Sequence, residues 1–261
     1  MLRRTIEFII FSNIWISLCG VGLAISSFFL CNLELNFFFL GLVFFATLFG
    51  YNLQNLSKKT IHKERSKQII WIQSNLINIK TLTTISFFFV IIFSFFLLNI
   101  NSVLCSTPFF FFVLFYRYPI LKKYNFRKIK GLKILFIAVC WSWTCCILPQ
   151  LVFSSSVNWI VALLVLMYVF IITIPFDIRD TRFDQGIQTI PQMIGIQNSY
   201  ILIMFMTSIL FFISLFNANY KFAIFLIFTA LALMPSKKKN SEFYYLFLLD
   251  GLLLVMPIFT I

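Results

Sequence analysis

Three aspartates, Asp177, Asp180 and Asp184, stand at i, i+3 and i+7 in the segment IPFDIRDTRFDQGIQTIPQMIG, residues 174–195. On a helix that turns by about 100° per residue they fall within an arc of roughly 60°, so all three carboxylates share one face. Stacked like charges repel. A hard cation such as Mg²⁺ relieves that repulsion, because it prefers carboxylate oxygens and completes its shell with water and phosphate oxygens. Arg179 and Arg182 are expected on the opposite side of the same helix, and Gly186, Thr189, Pro191 and Gly195 then end it and turn the chain. The competing explanation is purely electrostatic, with the aspartates paired to neighbouring Lys and Arg at a wet surface.

The elements that must position these acids belong to a membrane. The 261 residues are 61% hydrophobic and 11% charged, whereas soluble domains are about half apolar and about a quarter charged. Cutting the chain at its polar breaks leaves nine apolar segments, roughly 8–30, 36–56, 80–99, 102–118, 132–152, 157–176, 198–216, 219–234 and 243–260. A spanning helix needs about 20 such residues, and the fourth and eighth segments are short. The first is too long for a signal peptide and reads as a retained helix. The expectation is an all-α protein of nine transmembrane helices, one integral-membrane domain over residues 1–261, with no soluble domain.

Charge placement orients that bundle. The chain carries 21 Lys and Arg against 8 Asp and Glu, a net of +13, and all the basic residues except Lys221 fall at the N-terminus or in the even-numbered connections. Basic connections stay in the cytoplasm. The N-terminus is therefore expected inside and the C-terminus outside, in a bacterial inner membrane, and the basic excess reflects topology rather than nucleic-acid binding.

Other residues carry weaker signals. Asp250 falls inside the ninth segment, where a charge costs at least about 2.5–3.5 kcal/mol, and a partner on a neighbouring helix is expected. The six cysteines form no CxxC or Cys/His cluster, which argues against a zinc site and a disulfide scaffold, although a Cys31–Cys105 pair is conceivable because both are expected near the same membrane surface. Trp141 and Trp143, at i and i+2, point in different directions, so at most one lines a pocket. His62 has no acid or Cys at catalytic spacing.

The segment DIRDTRFDQGIQTIPQMIG resembles the second aspartate-rich motif of the UbiA superfamily of intramembrane prenyltransferases, D-x-x-D-x-x-x-D followed by Gly and a Thr-[ILV]-Pro stretch. Tyr118-Pro-Ile-Leu-Lys122 is similar to that family's Y-x-x-x-K element. The resemblance implies a helical bundle with a lipid-open pocket capped on the cytoplasmic side. It implies that Asp177, Asp180 and Asp184 are catalytic and hold Mg²⁺ against the diphosphate of an isoprenyl donor. The diphosphate leaves, and a lipid-soluble acceptor attacks the allylic carbocation, with the metal neutralising charge that grows on the leaving group.

The first motif of that family, N-[DE]-x-x-D-x-x-x-D after the second span, is degenerate. Asn52 matches its opening, but Leu53, Leu56 and Thr60 replace the acids, and no acid occurs from Asn36 to His62. Asn52, Asn55 and Lys59 repeat the i, i+3, i+7 spacing and are assigned, with Tyr118 and Lys122, to substrate binding. Lys58, Lys59 and Lys122 would then offset diphosphate charge beside a single Mg²⁺. Three functions fit: a divergent prenyltransferase using a prenyl diphosphate and a lipid-soluble acceptor, a pseudo-enzyme that binds lipid or a membrane partner, and a transporter of anionic lipids. Membrane lipids are partners in each, and nucleic acid in none.

Overall fold

A computed structural model describes residues 2–56, 67–115, 129, 131–181, 188–238 and 240–261. Among these residues every regular element is a helix. The first apolar stretch, expected as one span, forms α1 (Leu2–Phe11) and α2 (Ile14–Leu30), bent by 60°. The break falls at Asn13, which adopts the left-handed conformation with φ 67°, a region asparagine tolerates better than most L-residues.

A broken helix frees backbone groups that lipid cannot satisfy. Side-chain amides answer here. Asn52 Nδ2 donates to Ser12 O at 3.1 Å, and Gln68 Nε2 donates to Asn13 Oδ1 at 3.2 Å and to Phe11 O at 3.4 Å. Asn13 Nδ2 in turn donates to Asn52 Oδ1 at 2.7 Å.

Helix α3 (Phe37–Leu56) carries Asn52, and α4 (Lys67–Ser74) carries Gln68. The sequence suggested only a connection where α4 lies. It forms because the Glu242 carboxylate accepts from the backbone N–H groups of Lys67 and Gln68 at 3.1 and 3.2 Å, a negative charge at a helix N-terminus. Trp71 also packs against the Phe8 and Phe11 rings, with centroids 5.8 and 6.0 Å apart. Asn75 separates α4 from α5 (Leu76–Leu97), which begins earlier than the expected third span.

Next come α6 (Ile100–Phe115), α7 (Leu132–Phe153) and α8 (Trp159–Asp180). Within α7 the turn Trp143–Ile147 widens to a π-helix just before Pro149. Proline has no N–H for the carbonyl four residues back and its ring crowds that carbonyl; a wider turn relieves both. At the far end, Gln150 Oε1 accepts from Asn158 N at 2.5 Å while its Nε2 donates to Cys146 O at 2.9 Å, fixing the α7–α8 hairpin.

The chain finishes with α9 (Ile190–Ile194), α10 (Ile196–Phe216), α11 (Tyr220–Lys237) and α12 (Tyr244–Phe259). Among the described residues six helices, α3, α5, α7, α8, α10 and α11, are long and apolar enough to cross a membrane, and the bent α1–α2 pair makes a seventh if it is one span. Among the described residues the shorter apolar helices are α6, whose described part ends at Phe115, and α12, while the eighth expected segment reaches 18 residues as α11. Exposed Phe88, Ile91, Phe95 and Phe96 on α5 present an apolar exterior. This is an integral membrane protein.

The buried core includes Phe28, Phe39, Tyr168, Phe225 and Tyr245. Helix α3 packs on α5, α7 on α8, and α10 on both α8 and α11, while α12 returns to α2 and closes the bundle. That closure needs Gly22, where a Cβ would meet Leu253 O and Leu254 Cα at 2.6 Å. Gly22→Val is expected to cost about 1–3 kcal/mol through overpacking, seen as a lower Tm in detergent. An unchanged Tm would mean that α2 and α12 do not need this close approach.

Candidate functional site

The C-terminal end of α8 and the N-terminal end of α7 form the site. Gly131 precedes α7 in the left-handed region, φ +67°, which a glycine reaches without steric cost. Its N–H donates to Gln188 O at 2.8 Å and so ties the segment following α8 to the start of α7. Thr181 Oγ1 donates to Ile178 O at 2.6 Å, and Gln192 Nε2 donates to Thr181 O at 3.2 Å, which folds the returning segment over the helix end. The Thr189 N–H is taken by Gln192 Oε1 at 3.3 Å at the start of α9.

This arrangement brings Lys133, in the first turn of α7, onto Asp177. Lys133 Nζ lies 2.5 Å from Asp177 Oδ1. The carboxylate residue is 1% exposed and the lysine 9%. Asp180 takes a two-pronged contact from Arg179, with Nε donating to Oδ1 at 2.8 Å and Nη2 to Oδ2 at 3.2 Å. The Arg179 guanidinium also lies 5.4 and 5.0 Å from the Phe176 and Tyr245 ring centroids. Arg179 was expected to point away from the aspartate face. Its side chain is long enough to reach the adjacent carboxylate, and the two rings favour a cation there.

Of the first half-site inferred from sequence, the described residues include Asn52 and Asn55 on α3. Asn52, fully buried, is bonded to Asn13 and Ser12 at the α1–α2 break, and Asn55 is also buried. No hydrogen bond or ion pair among the described residues links either asparagine to Asp177 or Asp180. Asp184, Lys59, Tyr118 and Lys122 lie outside the described residues.

Sequence reasoning missed Lys133, which it counted only toward topology. The signal was present: Lys133 falls inside an expected span, where an ionisable side chain marks a pair or a site. Gln68 and Asn13 were missed for another reason, since a helix break has no clear mark in an apolar run.

The donor set can be tested against the metal that the resemblance implies. Magnesium demands near-octahedral oxygen ligands. Among the described residues no three His, Cys, Asp or Glu side chains converge, and Lys133 and Arg179 already engage Asp177 and Asp180. Asp177 and Asp180 are carboxylates of the kind that ion prefers, and Asp184, the third acid of the set, lies outside the described residues.

The remaining singled-out residues have local explanations. Asp250 is buried on α12. Cys31 contacts Cys146 rather than Cys105, and all six cysteines are free thiols. Trp141 packs edge-on to Tyr51, while Trp143 stacks on Phe109 at 4.2 Å, so the two indoles do diverge. A groove of about 310 Å³ lined in part by Asn158, Ser214, Asn217 and Asn219 lies at the other end of α8. That helix is roughly 33 Å long at 1.5 Å per residue, so the groove is separate from the acids.

Together these features define a membrane helix bundle of the UbiA fold, with a cluster of acids and protein cations at one end of the bundle. The chain is similar to the structure of a UbiA homolog from Aeropyrum pernix K1, with a TM-score of 0.61, 15% identity, and 95% of this chain and 94% of that one covered. It is also similar to a digeranylgeranylglyceryl phosphate synthase structure, with a TM-score of 0.57, 17% identity and 98% of each chain covered. No family model and no curated protein sequence matches it.

Proposed function

We propose that the chain is a divergent member of the UbiA superfamily, a membrane prenyltransferase that moves an isoprenyl group from a prenyl diphosphate to a lipid-soluble acceptor. The observation that supports this reading is the overlap of nearly the whole bundle with two structures of that fold. In such a transfer the allylic C–O bond breaks, diphosphate departs with the electron pair, and the acceptor attacks the carbocation and loses a proton. The proposal includes nine crossings, with α1–α2 as one and α6 and α12 as two more. It puts the N-terminus in the cytoplasm of a bacterium and the C-terminus outside, supported by the one-sided basic residues. Lys133, Asp177, Arg179 and Asp180 then sit at the cytoplasmic mouth. No step is routed through a metal.

The test is release of inorganic diphosphate from geranylgeranyl diphosphate by purified protein in lipid vesicles. Release is expected, falling by about 10²-fold or more in Asp177→Ala. Full activity in that variant would remove Asp177 from the site. A second reading, binding without turnover, is favoured by the seating of Lys133 and Arg179 on the carboxylates; bound donor with no release in the wild type would select it.

A further inference from the structure

We propose that the groove at the end of α8 opposite the acids holds a glycerophospholipid, with one acyl chain between α8 and the α10–α11 hairpin and its ester and phosphate oxygens at a rim of asparagines. This goes beyond the transfer reaction and does not depend on it. The groove, about 310 Å³ in volume, has an apolar wall that includes Ile160, Leu164, Ile213 and Phe222. Its rim is polar, because Asn158, Asn217 and Asn219 stand where α8 begins, α10 ends and α11 begins. Leu164 lies about 9 Å along the helix axis from Asn158 at 1.5 Å per residue. The apolar wall therefore runs inward from the rim, along the direction an acyl chain takes.

Two aromatic residues set the depth of the rim. Trp159 and Tyr220, the first residues of α8 and α11, are 66% and 64% exposed. Exposed Trp and Tyr settle at the headgroup level of a bilayer, which puts the asparagines beside the glycerol backbone of a lipid and the apolar wall among its chains. The rim also has hydrogen-bonding groups to spare. Asn158 Oδ1 accepts from Val161 N and Asn219 Oδ1 from Phe222 N, both at 3.2 Å, so each amide commits its oxygen to capping a helix. Their Nδ2 groups have no partner among the described residues. At the edge of the hydrocarbon, free amide N–H groups favour a ligand rich in acceptors. The ester and phosphate oxygens of a glycerophospholipid accept and do not donate. No acidic side chain is among the described residues that line the groove, so none there repels the phosphate.

The experiment places the full-length protein in phosphatidylcholine vesicles doped with a phosphatidylglycerol that carries a diazirine on one acyl chain, irradiates them, and maps the labelled residues by mass spectrometry. Residues 160–165 and 213–222 are expected to be labelled at least about fivefold more than residues 88–96 of α5, whose exposed face reports ordinary boundary lipid. Leu164→Trp, which fills the groove, is expected to cut that labelling about tenfold and to leave α5 unchanged. Asn158→Asp combined with Asn219→Asp keeps both capping oxygens but replaces the free donors by charge, and a similar loss is expected. Excess phosphatidylglycerol should compete and geranylgeraniol should not. Labelling of the groove no stronger than that of α5 overturns the proposal, as does labelling that either folded variant leaves unchanged. Stronger competition by geranylgeraniol than by phosphatidylglycerol assigns the groove to an isoprenoid chain and overturns it too. If Leu164→Trp does not fold, the paired Asp variant, which retains both caps, decides.

Discussion

Lys133→Met is expected to lower the stability of the folded bundle by about 3–5 kcal/mol, because it removes the cation 2.5 Å from a carboxylate that is 1% exposed. The cost comes from leaving a charge in a low-dielectric site more than from losing attraction, so the second half of the pair is the control. Lys133→Met with Asp177→Leu, which replaces both charges by apolar groups, is expected to recover to within about 1 kcal/mol of wild type or to exceed it. Thermal unfolding of wild type, both single variants and the double variant in one detergent gives the coupling between the two positions. A double variant no more stable than Lys133→Met would show that the pair is not the source of the loss. The same double variant separates stability from function: it should fold and yet fail to bind the diphosphate donor.

Asn52→Leu carries the second large effect. The substitution removes the donor to Ser12 O and the acceptor for Asn13 Nδ2, both buried at the break between α1 and α2. Each polar group left unsatisfied costs about 1–3 kcal/mol, so a total of about 2–4 kcal/mol is expected, with faster amide exchange concentrated around residues 11–17. Asn52→Asp tests the alternative role. It introduces an acid one position ahead of the first motif's missing acids, among the amides of Asn13 and Gln68. It should destabilise the break without creating Mg²⁺-dependent donor binding. A gain of such binding would return Asn52 to the diphosphate site.

The contrast between these positions explains what could be read in advance. Asp177 and Asp180 were legible because helical spacing places them on one face irrespective of the rest of the fold, and the end of α8 does present them together. Asn52 and Asn55 had the same spacing, which allowed them to face the aspartates. Spacing fixes the relative angle of residues within one helix but not the rotation of that helix against its neighbours. Asn52 in fact serves a helix break in another segment. The break itself was hidden because Ser12 and Asn13 interrupt an apolar run without a proline or glycine, and only the amides of Asn52 and Gln68 make it affordable in a bilayer. Helix α4 was hidden similarly, since its N-terminal cap, Glu242, comes from far along the chain.

By itself the amino-acid sequence determined the solvent, the helical class, most of the apolar segments and the acidic face of α8, since hydropathy and helical periodicity are local properties of consecutive residues. Only the tertiary structure decided which cation answers which acid. Lys133 and Asp177 belong to different helices, and their contact depends on the rotation and depth at which α7 packs on α8, together with the Gly131 to Gln188 hydrogen bond that brings the two helix ends together. A buried charge must be answered by whatever the packing brings near, and that choice is made between helices rather than along one.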